Sequence, residues 1–251
     1  MGLKRTMGIL WTHTSFQKEK LGDLQSCEET LKIDFFYDPL LIIKQLVVLK
    51  AEDLEEYQGV FVTSQHALMS LKDVASLNFS IYTVGKRTFE VAEQLGFKTI
   101  FSAQGRANDL KNLLLKERDS LKGGLLYLRG KHIQEDLKKE LEREGFKVQE
   151  KIVYEALLKK SFLDETVMGF RNKKITEVFL FSRRGAMAFE KNFKALEIEN
   201  GEKNLRVFCL SPEIALEITK KTGQEVYKGI YAAQRPTLES LWTLFCETVK
   251  F

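Results

Sequence analysis

The sequence predicts an α/β fold of two doubly wound domains, each a parallel sheet of five strands. Short β-rich runs alternate with longer helical patterns from one end to the other, as successive βα units require. The ten runs fall into two sets of five that share weak similarity in the same order, which suggests a duplication. Several runs are continuously apolar, such as Val60-Phe61-Val62 and Val178-Phe179-Leu180-Phe181, the pattern of strands buried on both faces.

In chain order the expected strands are 7–13, 32–37, 59–64, 80–85, 98–103, 124–130, 147–158, 177–182, 204–211 and 225–233. The clearest helix covers 132–144, where Ile133, Leu137 and Leu141 recur every four residues and Gly145 ends the pattern. Phe-Val-Thr-Ser at 61–64 matches Phe-Leu-Phe-Ser at 179–182, and Ile-Leu-Trp at 9–11 matches Leu-Leu-Tyr at 125–127. Ser-Ala-Gln at 102–104 resembles Ala-Ala-Gln at 232–234 at a larger offset, which places a loop insertion around 197–204. Open α/β sheets bind ligands beyond the carboxyl ends of their strands, so two such edges facing one another would make one shared cleft.

Composition bounds the function. With 251 residues and 18 Phe the chain holds enough core for two ordinary domains, and 3 Pro with 16 Gly exclude a linker-dominated or collagenous chain. The longest apolar run, 40–49, is broken by Lys44 and Gln45 and is too short to span a bilayer. Lys4 and Arg5 precede a short stretch that already contains Thr12, His13 and Thr14, with no cleavage pattern behind it, so a cytoplasmic protein is expected. Cys27, Cys209 and Cys246 are odd in number and widely spaced, supporting neither a disulfide framework nor a zinc site; three free thiols are expected. The net charge of +4 is spread along the chain and does not call for nucleic acid, although a cleft that gathered part of it would attract a small polyanion.

Ser64, Gly85, Gly105, Gly130, Ser182, Ser211 and Thr237 each stand between a strand and an expected helix, as caps or tight turns. Ser211-Pro212-Glu213 is the most specific, since Ser caps, Pro suits the first helical position and Glu complements the dipole. Helix starts of this kind present unpaired N–H groups to a carboxylate or phosphate. Lys86, Arg87, Arg106, Arg129, Lys131, Arg183, Arg184 and Arg235 follow strands and could add charge to the same edges. Other chemistries leave no mark: Gly85-Lys86-Arg87-Thr88 lacks the leading Gly of a phosphate loop, and G-x-G-x-x-G and G-x-S-x-G are absent. His13, His66 and His132 show no metal-binding spacing, so neither metal nor cofactor is expected.

The ordered set of motifs resembles the uroporphyrinogen-III synthase family over nearly the whole chain. The resemblance rests on Val60-Phe61-Val62-Thr63-Ser64 with Ala67, Val84-Gly85-Lys86-Arg87-Thr88 with Ala92 and Gly96, and Leu128-Arg129-Gly130 with Leu141, Gly145 and Val153-Tyr154. Phe181-Ser182 with Gly185 and Phe189, Leu210-Ser211 with Ala215, and Pro236-Thr237 with Leu241 complete it. One departure is His13, where members commonly carry Arg after the Thr of the first strand.

The resemblance implies two flavodoxin-like domains that exchange segments: 1–35 with 160–251 as a discontinuous domain 1, 42–152 as domain 2, and 36–41 and 153–159 as linkers across which the domains move. It implies closure of the linear tetrapyrrole hydroxymethylbilane with loss of water and inversion of ring D, by a monomer without a cofactor. It assigns Tyr154 as proton donor, and Thr12, Thr63, Ser64, Gly85, Lys86, Thr88, Arg129, Gly130, Ser182, Ser211 and Thr237 as contacts to the acetate and propionate groups. Two rival readings share the fold: a non-catalytic sensor that closes on a small anion, and a nucleotide-dependent transferase.

Overall fold

The computed structural model describes residues 5–14, 31–74, 79–103, 107–133, 135–199, 201–222 and 227–249. The chain divides into two compact units, Met1–Ile42 with Leu158–Phe251 (unit 1) and Ile43–Leu157 (unit 2).

Unit 1 holds β1 (Arg5–Trp11), β2 (Leu31–Tyr37), β9 (Ile175–Leu180), β10 (Arg206–Cys209) and β11 (Gly229–Ala232). They form one parallel sheet in the order β11-β10-β9-β1-β2. In unit 2, β4 (Gly59–Val62), β5 (Ser80–Val84), β6 (Ile100–Ala103), β7 (Leu125–Gly130) and β8 (Val148–Leu158) lie parallel in the order β8-β7-β4-β5-β6.

A sixth strand, β3 (Leu41–Gln45), joins the second sheet beside β8, where five strands are expected from the sequence. It runs antiparallel, since the Leu46 N–H donates to the Val153 carbonyl at 2.8 Å and the Lys159 N–H to the Leu40 carbonyl at 3.0 Å. Its residues alternate half-buried and exposed with Lys44 outward, which suits an edge strand. The segment 153–159 is therefore strand as far as Leu158, whereas 36–41 is strand at Phe36, Tyr37 and Leu41 with 38–40 between the two strands.

Strand order explains the internal similarity. The matched segments fall on β4 and β9, β1 and β7, and β6 and β11. When these pairs, together with β2 and β8 and β5 and β10, are exchanged, the order of the first sheet becomes that of the five parallel strands of the second. A duplicated half thus contributes strands to both sheets. The correspondence extends to side chains in register. Trp11 stacks on Phe179 in unit 1 (5.8 Å, 20°), and Tyr127 stacks on Phe61 in unit 2 (4.5 Å, 8°). Phe208 on Tyr231 and Tyr82 on Phe101 continue the two rows. Each sheet is covered on both faces by apolar side chains, which is why its strands read as unbroken hydrophobic runs.

The helices are α1 (Gln65–Leu68), α2 (Lys86–Gln94), α3 (Ala107–Lys116), α4 (Leu137–Arg143), α5 (Asp164–Arg171), α6 (Arg183–Lys194), α7 (Pro212–Thr222) and α8 (Leu238–Val249). Three expectations need correction. The helix expected from residue 132 starts at Leu137, because the Asp136 carboxylate accepts from the Lys139 N–H at 3.1 Å and caps it there; Ile133 is exposed. Gly130 is the last residue of β7 and caps no helix. Cys209 is a buried free thiol pushed up to about 12 by desolvation, but Cys246 is disulfide-bonded, so the chain does not carry three free thiols. Gly105, Arg106 and Cys27 lie outside the described residues. Among the described residues no helix is long and apolar enough to cross a membrane.

Candidate active site

Parallel strands leave their loops and helix starts at the carboxyl edge of each sheet, and the expected site residues stand on these edges. In unit 2, β4 ends at Val62 and delivers Thr63 and Ser64. The Ser64 hydroxyl accepts from the His66 N–H at 3.3 Å and caps α1. Exposed Thr63 shares a hydrogen bond of 3.2 Å with the Tyr127 phenol. Tyr127 is buried on β7, and desolvation raises its pKa against the opposing influence of Thr63 and Arg129. It therefore stays protonated through the neutral range.

Tyr154 stands on β8 and packs against the cluster that holds Val60, Val62 and Leu128, on the face of the sheet opposite Phe61 and Tyr127. The β7–β8 register shifts after Arg129, so that Gly130 pairs with Tyr154, whose half-buried ring lies over the glycine. A Cβ on Gly130 would stand 2.7 Å from Tyr154 Cζ and 2.9 Å from its Oη, so glycine is what admits the phenol. The His66 ring is 5.7 Å from the Tyr154 ring.

Arg129, expected as an anion contact, is bonded to a carboxylate of the protein itself. Its Nε and Nη2 each donate to the Glu150 carboxylate at 2.9 Å, and Nη1 donates to the Gly130 carbonyl at 3.0 Å. The pair holds Glu150 below the usual carboxylate range, chiefly through the Arg129 hydrogen bond. Arg129 thus braces the bulge that presents Gly130 and Tyr154. Gly85, at φ +77°, starts α2 without a side-chain cap; Lys86 is exposed and Thr88 is buried in that turn.

The edge of unit 1 carries the remaining candidates. Thr12 is buried and its hydroxyl donates to the Phe179 carbonyl at 2.6 Å, clamping β1 to β9. The departure from the family pattern, His13, packs edge-on against Phe181 at 5.1 Å. Ser182 accepts from the Gly185 N–H at 3.0 Å and caps α6, while Thr237 accepts from the Ser240 N–H at 3.2 Å at the start of α8. Ser211 precedes α7, and its carbonyl accepts from Ile214 and Ala215. A capping hydroxyl that accepts from its own helix keeps its O–H proton, so Ser64, Ser182 and Thr237 can each donate to a carboxylate.

In unit 2 the structure thus brings Tyr154 onto Gly130 and, missed from the sequence, beside the His66 ring, while Thr63 meets the phenol of Tyr127 and Glu150 holds Arg129, two further residues missed from the sequence. Tyr127 reads in the sequence as strand core, and the only signal for it was its alignment with Trp11 in the repeat. Among the described residues no cluster of three or more His, Cys, Asp or Glu could hold a metal ion.

The sequence matches the family described as uroporphyrinogen-III synthase HemD over residues 38–243. The chain belongs to the uroporphyrinogen-III synthase family. Solved structures agree on the fold. Uroporphyrinogen-III synthetase from Helicobacter pylori is 20% identical, with 96% of this chain and 99% of that one covered and a TM-score of 0.64. A mutant uroporphyrinogen III synthase from the extremely thermophilic bacterium Thermus thermophilus is 13% identical, with 97% and 99% covered and a TM-score of 0.51. No curated protein matches the chain. Membership makes this an enzyme of tetrapyrrole biosynthesis with a small-molecule tetrapyrrole substrate, and the sensor and nucleotide-transferase readings are not favoured.

Proposed function

We propose that the chain is a cytoplasmic, monomeric lyase that closes hydroxymethylbilane into uroporphyrinogen III, with Tyr154 at the departing hydroxyl. The hydroxymethyl end takes up a proton and loses water, giving a protonated azafulvene that the substituted carbon of ring D attacks, the proton being released again as the macrocycle regains its pyrrole rings. A spiro intermediate then rearranges to the macrocycle with ring D inverted. Tyr154 supplies or relays the proton, and its hydrogen bond persists as the C–O bond breaks. Tyr127, kept neutral by burial, steadies the Thr63 hydroxyl beside it.

The observation that carries this reading is the Tyr154 phenol seated on Gly130, with the His66 ring of α1 beside it. The remaining catalysis is positioning, which for a reaction between two ends of one flexible chain is worth several orders of magnitude. Thr63, Ser64, Gly85, Lys86 and Thr88 hold substrate carboxylates from unit 2, and Ser182, Ser211 and Thr237 from unit 1. Thr12, Arg129 and Gly130 act indirectly, by fixing the strands that carry the others. The same reading takes 1–35 with 160–251 and 42–152 as the domains, with no cofactor needed.

Turnover of hydroxymethylbilane tests it. Tyr154→Phe is expected to lower kcat by about a hundredfold, the low end of the range for a positioned acid, with little change in KM. Unchanged kcat in the folded variant would remove Tyr154 from the chemistry.

A further inference from the structure

At the amino-terminal edge of the unit 1 sheet, away from the carboxyl edge that carries the candidate site, lies a hollow of about 350 Å³. Lys173, Glu177, Lys203, Arg206 and Lys228 line it, all at or near the starts of β9, β10 and β11. Glu177 and Arg206 are register partners on adjacent strands. The Arg206 side chain is only 9% exposed, and its Nε and Nη2 donate to the two oxygens of fully buried Glu177 at 2.9 and 2.6 Å. That pairing fixes the guanidinium plane and occupies one edge of it. Nη1 donates to no described residue, although the side chain faces the hollow. Lys173, Lys203 and Lys228 are exposed around it, and none forms an ion pair with a described residue. Among the described residues that line the hollow Glu177 is the one carboxylate, bonded to Arg206 and within the field of Lys228, so this lining carries a clear excess of positive charge.

A cross-strand ion pair needs no ring of lysines, and three like charges around one hollow repel each other unless an anion sits among them. We propose that this hollow is a second ligand site that binds a multiply charged phosphate group, as in a diphosphate or a phosphate monoester. Arg206 Nη1 meets one oxygen in a fixed direction, and the flexible lysines close on the others. Three lysine charges exceed what a single carboxylate would balance, which favours a phosphate.

Calorimetric titration of the full chain with inorganic pyrophosphate tests the proposal. Saturable one-to-one binding with Kd of roughly 0.1–1 mM is expected at low salt, weakening as ionic strength rises. Lys203→Gln with Lys228→Gln, both at exposed positions, is expected to weaken binding by about tenfold or more. Arg206→Lys, which keeps a cation against Glu177, is expected to weaken it as well; if that variant does not fold, the lysine variant decides alone. Absence of saturable binding, binding unchanged by the lysine substitutions, or a preference for citrate over pyrophosphate would each overturn the proposal.

Discussion

Gly130→Ala probes the active-site geometry through a single methyl group. The substitution leaves backbone conformation alone, since Gly130 is not among the positive-φ glycines. The added Cβ would meet Tyr154 Cζ at 2.7 Å, whereas carbon atoms rest at about 3.5–4.0 Å. The phenol must therefore retreat by about 1 Å. A displacement of that size at a reacting group costs about a hundredfold in rate, while overpacking at one half-buried contact costs about 1–3 kcal/mol of stability. Purified Gly130→Ala should unfold cooperatively at a modestly lower temperature and turn over hydroxymethylbilane about a hundredfold more slowly. Because both variants act through one phenol, Gly130→Ala with Tyr154→Phe should be hardly slower than either alone. Wild-type kcat in Gly130→Ala, or rate losses that multiply in the double variant, would refute the link between the glycine, the phenol and the chemistry.

Thr12→Val removes the hydroxyl that clamps β1 to the Phe179 carbonyl; a loss of about 1 kcal/mol in urea unfolding with unchanged KM is expected, and a raised KM would show a substrate contact instead. Ser182→Ala uncaps the twelve-residue α6, so Tm should fall by about 2–4 °C and KM should rise as a carboxylate donor is lost. Arg129 lowers the Glu150 pKa, so this carboxylate contributes stability that is fully present above the ordinary carboxylate range and lost as pH falls through the lowered folded value. Unfolding of wild type and Glu150→Gln should therefore differ at pH 7 and converge on acidification; a gap that widens in acid would reverse the assignment.

Unbroken apolar runs made the central strands legible in the sequence, because a sheet covered on both faces leaves no polar alternation to confuse the reading. Paired motifs also made the duplication legible, down to the stacked Trp11–Phe179 and Phe61–Tyr127 pairs that occupy equivalent places. The edge strand Leu41–Gln45 was hidden because it directly follows Pro39 and Leu40 and belongs to a run interrupted by Lys44 and Gln45, which reads as a connection. The helix start moved because Ile133 fits a four-residue period by coincidence, while Asp136 decides where the backbone can be capped. Serine and threonine caps were visible as residue types between strand and helix. The Arg129–Glu150 pair was not legible for a physical reason: Glu150 lies on the neighbouring strand, and a pairing across strands depends on a register, here shifted at Gly130, that no local pattern encodes. The same shift is what brings Tyr154 onto Gly130.

The isomer composition of the macrocycle formed from hydroxymethylbilane by the purified protein is the most direct measurement. The account predicts that the ring-D-inverted isomer dominates and forms faster than spontaneous closure. A product with the composition of the uncatalysed reaction, at the uncatalysed rate, would contradict it.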